Sequence, residues 1–474
     1  MTGYGGDTRH KQEHDMTTLD TPATSQDLPW HLRENRAPVT DEVTLTELEV
    51  RGSIPADLKG RYLRNGANPQ TGESEHWFLG DGMIHGIELA DGKANWYRNR
   101  YVRTPMFANP GVERMDLYLD PETFQFNFEV GVANTHVISH AGKILTLEEG
   151  SFPYEIDGNL DTVGKHTFDG KLTTAMTAHP KICPETGEML FFGYSSLPPY
   201  LTYHRVSASG ELLQSTEITV GGPTMMHDFT VSRDHSVFFD LPAIFDMELA
   251  MSGGMPIRWS DEYPARMGVM PRAGSDADVQ WFDVDPCYMF HSLNAHDEGD
   301  ETVIRGCRIN EIWRDSAAIG DPDSATDQDM PKMWEWRLNR ATGAVRESQL
   351  DDRPSEFPQV PDANVGLASR YGYSMSTTPD GDAGEIFKYD LDNGAARTTH
   401  RYPKGQIPGE ARFVAAENGT SEDDGYLMTF VHDENTNTSH LSILDASDVA
   451  AEPLAEVHLP RRVPAGFHGS WIAD

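Results

Sequence analysis

Cysteine, long apolar runs and positive charge are all scarce in this chain of 474 residues. Its three cysteines, Cys183, Cys287 and Cys307, lie far apart and form no CxxC. An odd, sparse set excludes a disulfide framework and reads as reduced, buried thiols of a cytosolic protein. No run of eighteen apolar residues occurs, which excludes a membrane-spanning helix. The polar start, MTGYGGDTRHKQEHDMTTLDTPATSQD, lacks the apolar centre of a secretory signal, and residues 1–26 read as a disordered tail. Basic residues number 38 against 75 acidic ones, a net charge of −37. Such a field repels phosphate backbones and anionic headgroups, so nucleic acid is not an expected partner. It does not exclude an apolar patch that touches a membrane.

Short β-like runs separated by turn residues fill the rest. MIHGIELADGKANWYRN holds two runs around Asp91-Gly92, a hairpin signal. The same design recurs around Ala141-Gly142, Thr186-Gly187, Ser209-Gly210 and Thr342-Gly343. Many short strands at this spacing predict an all-β fold, and several hundred residues of hairpins suit a propeller better than one small barrel. The blades share no repeated signature, so their number is not readable from spacing. Two stretches interrupt the rhythm: the apolar, Met-rich LPAIFDMELAMSGGMPIRW (241–259) and the acidic RDSAAIGDPDSATDQDMPK (314–332). Both read as insertions over one face, the second as a solvated loop.

Three of the 19 histidines share a setting. His179 stands eight residues before Gly187, His227 seven before Asp234, and His291 eight before Gly299. Seven or eight strand residues span about 25 Å, so each histidine is expected to start a strand that ends in a hairpin. In a propeller that puts them at one level around the axis, where neutral imidazoles suit Fe, Zn, Cu or Ni. Spacing alone leaves two readings open: a three-histidine metal site, or structural histidines with satisfied hydrogen bonds. His136, six residues before Gly142, nearly passes the same test. The chain ends on VPAGFHGSWIAD. A closing propeller strand would order this tail and bring His468 in as a fourth ligand, with Gly466 and Gly469 allowing close backbone approach.

With these residues in view, the sequence resembles the carotenoid cleavage oxygenases, a family of non-haem iron enzymes. The likeness runs from PWHLRENRAPVTDEVT to the C-terminus. It is carried by GRYLRNGANP, HWFLGDGMIHGIEL, WYRNRYVRT, GVANT and EDDGYL, and by AHPK, MHDF, FHSLNA and GFHGSW, which hold the four histidines. The resemblance implies a seven-bladed β-propeller, one domain over residues 27–474, with a dome of loops and helices over the iron-bearing face. It places the family's iron ligands on His179, His227, His291 and His468. Its glutamates fall on Glu149, Glu356 and Glu410, each able to accept the far N–H of a ligating imidazole. Thr135, in GVANT, is similar to the family threonine that reaches towards the open positions beside the metal. His76, His85, His136, His140 and His296 are not taken as ligands, because the four matched positions account for the site. His136 stands where relatives often carry Asn.

The resemblance also implies the reaction: Fe2+ and O2 split an electron-rich C=C bond into two carbonyl products. Two substrate classes compete. A carotenoid or apocarotenoid polyene needs an apolar way in, for which residues 241–259 are the candidate membrane-touching patch; an internal dome helix is the alternative there. A stilbene or other phenylpropanoid carries a para-hydroxyl. Members that cut such substrates usually place a Lys immediately before the first of the three glutamates, and this chain has Glu148. That departure favours the polyene. A non-catalytic propeller and a zinc hydrolase are weaker readings: the first leaves seven matched residues without a purpose, and catalytic zinc usually keeps three protein ligands.

Overall fold

A computed structural model describes residues 28–123, 125–251, 255–314, 330–377 and 384–474. The tail expected over 1–26 and most of the acidic stretch 314–332 lie outside the described residues.

All five turns expected from the sequence join antiparallel strands. Asp91-Gly92 links Gly82–Ala90 to Lys93–Tyr101, and Ala141-Gly142 links His136–His140 to Lys143–Leu147. In both pairs the two loop residues have positive φ, 51° and 71° in the first and 50° and 75° in the second. That is the mirror-image turn whose twist matches the flanking strands, and it demands glycine at its second position. Thr186-Gly187, Ser209-Gly210 and Thr342-Gly343 close the longer hairpins, with glycine φ of 69°, 86° and 76°.

The strands form antiparallel sheets in chain order. Sheet 1 holds Gly60–Ala67, Gly82–Ala90 and Lys93–Tyr101; sheet 2 spans 136–165, sheet 3 spans 181–217 and sheet 4 spans 230–283. A seven-stranded sheet follows, but its strand Val345–Gln359 changes partner along its length. Val345–Gln349 pairs with Lys332–Asn339, whereas Ser355–Gln359 pairs with Tyr371–Ser376. Divided there, it gives sheet 5 (288–349) and sheet 6 (355–401). Sheet 7 runs from 406 to 459 and takes in the early strand Glu49–Gly52. The terminal strand Gly469–Ala473 returns to pair with Gly60–Ala67 of sheet 1.

The hydrophobic cores show how these units sit. Among the described residues there are seven clusters, and each is shared by two successive sheets. Leu63 and Ile84 meet Val137 and Tyr154 between sheets 1 and 2; Leu145 meets Phe191 between 2 and 3; Phe192 meets Phe238 between 3 and 4. Met267 packs with Trp336, Cys307 with Phe387, and Ile386 with Leu427. The seventh joins Met428 and Leu441 of sheet 7 to Tyr62 and Ile87 of sheet 1. Seven sheets linked pairwise, the last to the first, make a closed ring. This is a seven-bladed propeller, in which each sheet packs between two neighbouring sheets.

The helices among the described residues are short, Pro105–Ala108, Arg114–Tyr118 and Met247–Met251. None is long and apolar enough to cross a membrane. Within the apolar stretch 241–259, Ala243–Phe245 pairs with Ile257–Trp259 as a ribbon inserted between strands of sheet 4, and residues 252–254 lie outside the described residues. Its base, Leu241, Ala243, Ile257 and Trp259, is buried in the core between sheets 4 and 5. Past Phe245, Met247 is 48% exposed. The three cysteines are unpaired and buried.

Candidate metal centre

The four histidines meet. One ring nitrogen from each of His179, His227, His291 and His468 lies within 4.8 Å of the others. The Nε2 atoms of His179 and His227 are 3.0 Å apart, and those of His227 and His291 are 3.2 Å apart. His179, His291 and His468 are buried, and the His227 side chain is 11% exposed. Phe290 packs edge-on to His227, and Phe357 stacks on His291.

Local irregularities of the ladder aim these side chains. His179 and His227 lie just ahead of the strands Lys181–Ile182 and Thr230–Val231, which are only two residues long. His291 lies inside Tyr288–Glu298, where the pairing register shifts between Met289 and Ser292. The expectation that each histidine starts a long strand is therefore corrected: none does, and in the third case a bulge does the aiming. His468 sits immediately before the closing strand. The tail is tied in by His468 N–H to Thr135 O (3.0 Å), Asn65 N–H to His468 O (3.0 Å) and Phe467 N–H to Asn65 O (2.9 Å). A Cβ on Gly466 would come 2.5 Å from Arg64 Cζ, so a larger residue there requires the Arg64 guanidinium to move.

Carboxylates stand behind three of the rings. Glu149 Oε1 contacts His227 Nδ1. Glu356 Oε2 lies 2.5 Å from His291 Nδ1 and also accepts the Phe357 N–H at 2.6 Å. Glu410 Oε1 lies 3.0 Å from His468 Nδ1, while its Oε2 accepts the Gly469 N–H at 2.7 Å. Glu356 occupies a register shift and its neighbour Phe357 has φ of 53°. Glu410 falls in the gap between Gln406–Pro408 and Arg412–Ala415. Counted by sheet, His468, Glu149, His179, His227, His291, Glu356 and Glu410 lie on or next to strands of sheets 1 to 7 in that order, one for each. No carboxylate contacts His179 among the described residues.

The charges follow from this packing. Burial, with the charges of its histidine neighbours, holds His179 and His291 well below the ordinary imidazole range. Burial opposes the charged form of His227 too, but the Glu149 carboxylate outweighs it and raises that pKa. Burial pushes Glu356 up to about 8. For Glu410 burial is overcome by the charge and hydrogen bond of His468, and its pKa falls to about 2. Neutral imidazoles with inward lone pairs and carboxylates on their outer nitrogens are what a divalent transition metal requires. The residues fit a metal ion.

Other residues named from the sequence lie around this centre. Thr135 is half-buried; its N–H bonds Leu147 O at 2.9 Å and its hydroxyl donates to Asn134 Oδ1 at 3.0 Å. Its carbonyl accepts the His468 N–H at 3.0 Å. Glu148 is buried and accepts from Arg114, Val132 N–H and Ala133 N–H. A guanidinium thus stands beside position 148 after all, though held by that carboxylate. Of the histidines not taken as ligands, His136 lies nearest, its ring centroid 5.2 Å from that of His468, with Nδ1 on Ala178 O at 2.8 Å. Sequence reasoning missed Tyr194, whose hydroxyl donates to Glu149 Oε2 at 2.5 Å. Its FFGYSS context carries no signal for that.

Comparisons agree with this geometry. Residues 36–473 match the family profile described as retinal pigment epithelial membrane protein. A carotenoid 9,10(9',10')-cleavage dioxygenase of Crocus sativus is 36% identical, covering 94% of this chain and 89% of its own. A carotenoid cleavage oxygenase of Mycobacterium tuberculosis is 37% identical, covering 92% and 96%. Among solved structures, a lignostilbene dioxygenase of Pseudomonas brassicacearum superimposes with a TM-score of 0.84 at 26% identity, covering 94% and 98%. The cobalt-substituted apocarotenoid oxygenase of Synechocystis does so with 0.82 at 25%, covering 95% and 99%. On sequence and fold together, the chain belongs to the carotenoid cleavage oxygenase family, which includes the retinal pigment epithelial membrane protein.

Proposed function

We propose that this protein is an Fe2+-dependent dioxygenase that cleaves a conjugated C=C bond of a carotenoid or apocarotenoid with O2, giving two carbonyl products. The observation that carries the reading is the convergence of four imidazoles, three backed by carboxylates, in a chain 36% identical over nearly its whole length to a carotenoid-cleaving relative. His179, His227, His291 and His468 would hold the iron. When bound, ferrous iron supplies the redox chemistry by which O2 adds to an electron-rich double bond. Both oxygen atoms leave in the two carbonyls, so the stoichiometry needs no external reductant.

The chain's own residues do the rest by holding and excluding. Glu149, Glu356 and Glu410 fix the outer Nδ1–H tautomer of their histidines, so that Nε2 lone pairs face inward. Their charge also offsets the charge that four neutral ligands leave uncompensated. Phe290 and Phe357 screen the imidazoles from water, and an apolar wall suits a polyene that is positioned rather than coordinated. Thr135 closes one side through its carbonyl on His468. We read residues 27–474 as one domain, supported by the ring that the terminal strand closes. Free, buried cysteines fit a cytoplasmic setting, with the part of 241–259 around the exposed Met247 as the place for peripheral membrane contact.

A stilbene or other phenylpropanoid is the second reading, favoured by the lignostilbene dioxygenase overlap and by Arg114 at position 148. Against it, Glu148 already neutralises that cation. Iron-loaded protein supplied separately with an apocarotenoid and a hydroxystilbene, with aldehydes read by mass spectrometry, decides. Aldehydes from the polyene are expected. Products from the stilbene alone reverse the order, and none from either overturns the dioxygenase reading.

A further inference from the structure

We propose that Asp228 is a positioning residue that sets the mutual spacing of three of the four metal-binding histidines. The inference rests on the reading of those histidines as a metal site.

Asp228 follows His227 directly, is 1% exposed, and has every polar contact on chain that carries or adjoins a ligand. Its Oδ1 accepts from its neighbour Phe229 N–H at 2.8 Å and pairs with Lys181 Nζ at 2.8 Å. Its Oδ2 accepts Ser292 N–H at 2.8 Å and Ser292 Oγ–H at 2.7 Å. Lys181 lies two residues after His179, and Ser292 lies one after His291. One carboxylate thus ties together sheets 3, 4 and 5 at the level of the imidazoles. Thr177 supports the same seam, accepting His179 N–H at 3.1 Å and donating to His227 O at 3.3 Å.

Two features make this more than a generic buried ion pair. The strands that follow His179 and His227 have two residues each, too few ladder bonds to set their spacing. And His179 is the histidine that no carboxylate contacts among the described residues, so its position depends on the backbone that Lys181 anchors. A carboxylate that accepts four donors in fixed directions is rigid, because each donor restrains a different degree of freedom. Asn in its place keeps the shape but loses the charge and half of the acceptor capacity.

The test uses the full chain and cobalt(II), read by chelator competition and by the visible ligand-field spectrum. Asp228→Asn is expected to weaken cobalt binding about 10–100-fold, as for other residues that orient ligands. Its ligand-field band should shift, while far-ultraviolet circular dichroism and the melting temperature of metal-free protein stay near wild type. Lys181→Met should shift both readouts in the same direction by less, and the double variant should be no weaker than Asp228→Asn alone. If Asp228→Asn does not fold, Lys181→Met and Ser292→Ala carry the test. Wild-type affinity and spectrum in the variants overturn the inference and leave the oxygenase reading standing. A loss of affinity that only tracks a lower melting temperature of the metal-free protein also overturns it. Wild-type protein that takes up no cobalt overturns both.

Discussion

Glu356 shows how much one side chain does at this site. It is buried, sits on a bulge, and meets His291 Nδ1 and its own neighbour's N–H with a single oxygen. Glu356→Gln should weaken metal retention about 10–100-fold without unfolding the protein, checked by metal content after dialysis against chelator. Away from the site, Glu298 accepts from Arg337 at 2.7 Å and His296 at 2.9 Å, and these bonds hold its pKa down to about 2. A depressed carboxylate stabilises the fold above its unfolded value, about 4.3, and loses that contribution as pH falls towards 2. Glu298→Gln should therefore cost about 0.5 kcal/mol near neutrality, the side chain being half-exposed. The gap in melting temperature should close between about pH 4.3 and 2. The histidines were legible in the sequence because AHPK, MHDF, FHSLNA and GFHGSW are specific words. Asp228 sits inside one of those words and was not legible. Its partners, Lys181 and Ser292, are 47 and 64 residues away in the chain, and only folding brings them together.

At the scale of elements, turns were the readable feature and strand lengths were not. Asp91-Gly92 and Ala141-Gly142 dictate their hairpins by backbone conformation alone, which is local and therefore visible in sequence. The two-residue strands after His179 and His227, and the register shifts at His291 and Glu356, depend on neighbouring sheets. Those irregularities are what turn the side chains inward, so the aiming of the site could not be read from spacing. The terminal element is the most consequential. Deleting residues 463–474 removes His468, the strand paired with Gly60–Ala67, and the buried Phe467 and Ile472. The expected cost is more than about 4 kcal/mol, with metal retention lost, as judged by denaturant unfolding and metal analysis. Gly466→Ala should act in the same direction more weakly, through its clash with Arg64.

The whole molecule is a ring whose number of blades, implied by the family resemblance, could not be counted from spacing, because no signature repeats. The count comes instead from seven apolar clusters, each joining residues of adjacent sheets, and the seventh joins residues of sheets 7 and 1 from opposite ends of the chain. One residue of the site lies on or next to a strand of every sheet, so the site exists only when the ring is complete. Around it lies a surface with a net charge of −37. Self-repulsion of that size destabilises the compact state and is screened by salt. Raising NaCl from low to about 0.5 M, where the screening length falls below ~8 Å, should raise the melting temperature by on the order of 2 °C, measured by calorimetry.

The most direct measurement is anomalous diffraction at the iron edge from crystals grown anaerobically with Fe2+. One strong peak is expected among the inward nitrogens of His179, His227, His291 and His468. No peak there, or iron held elsewhere on the acidic surface while the four rings stay empty, would contradict it.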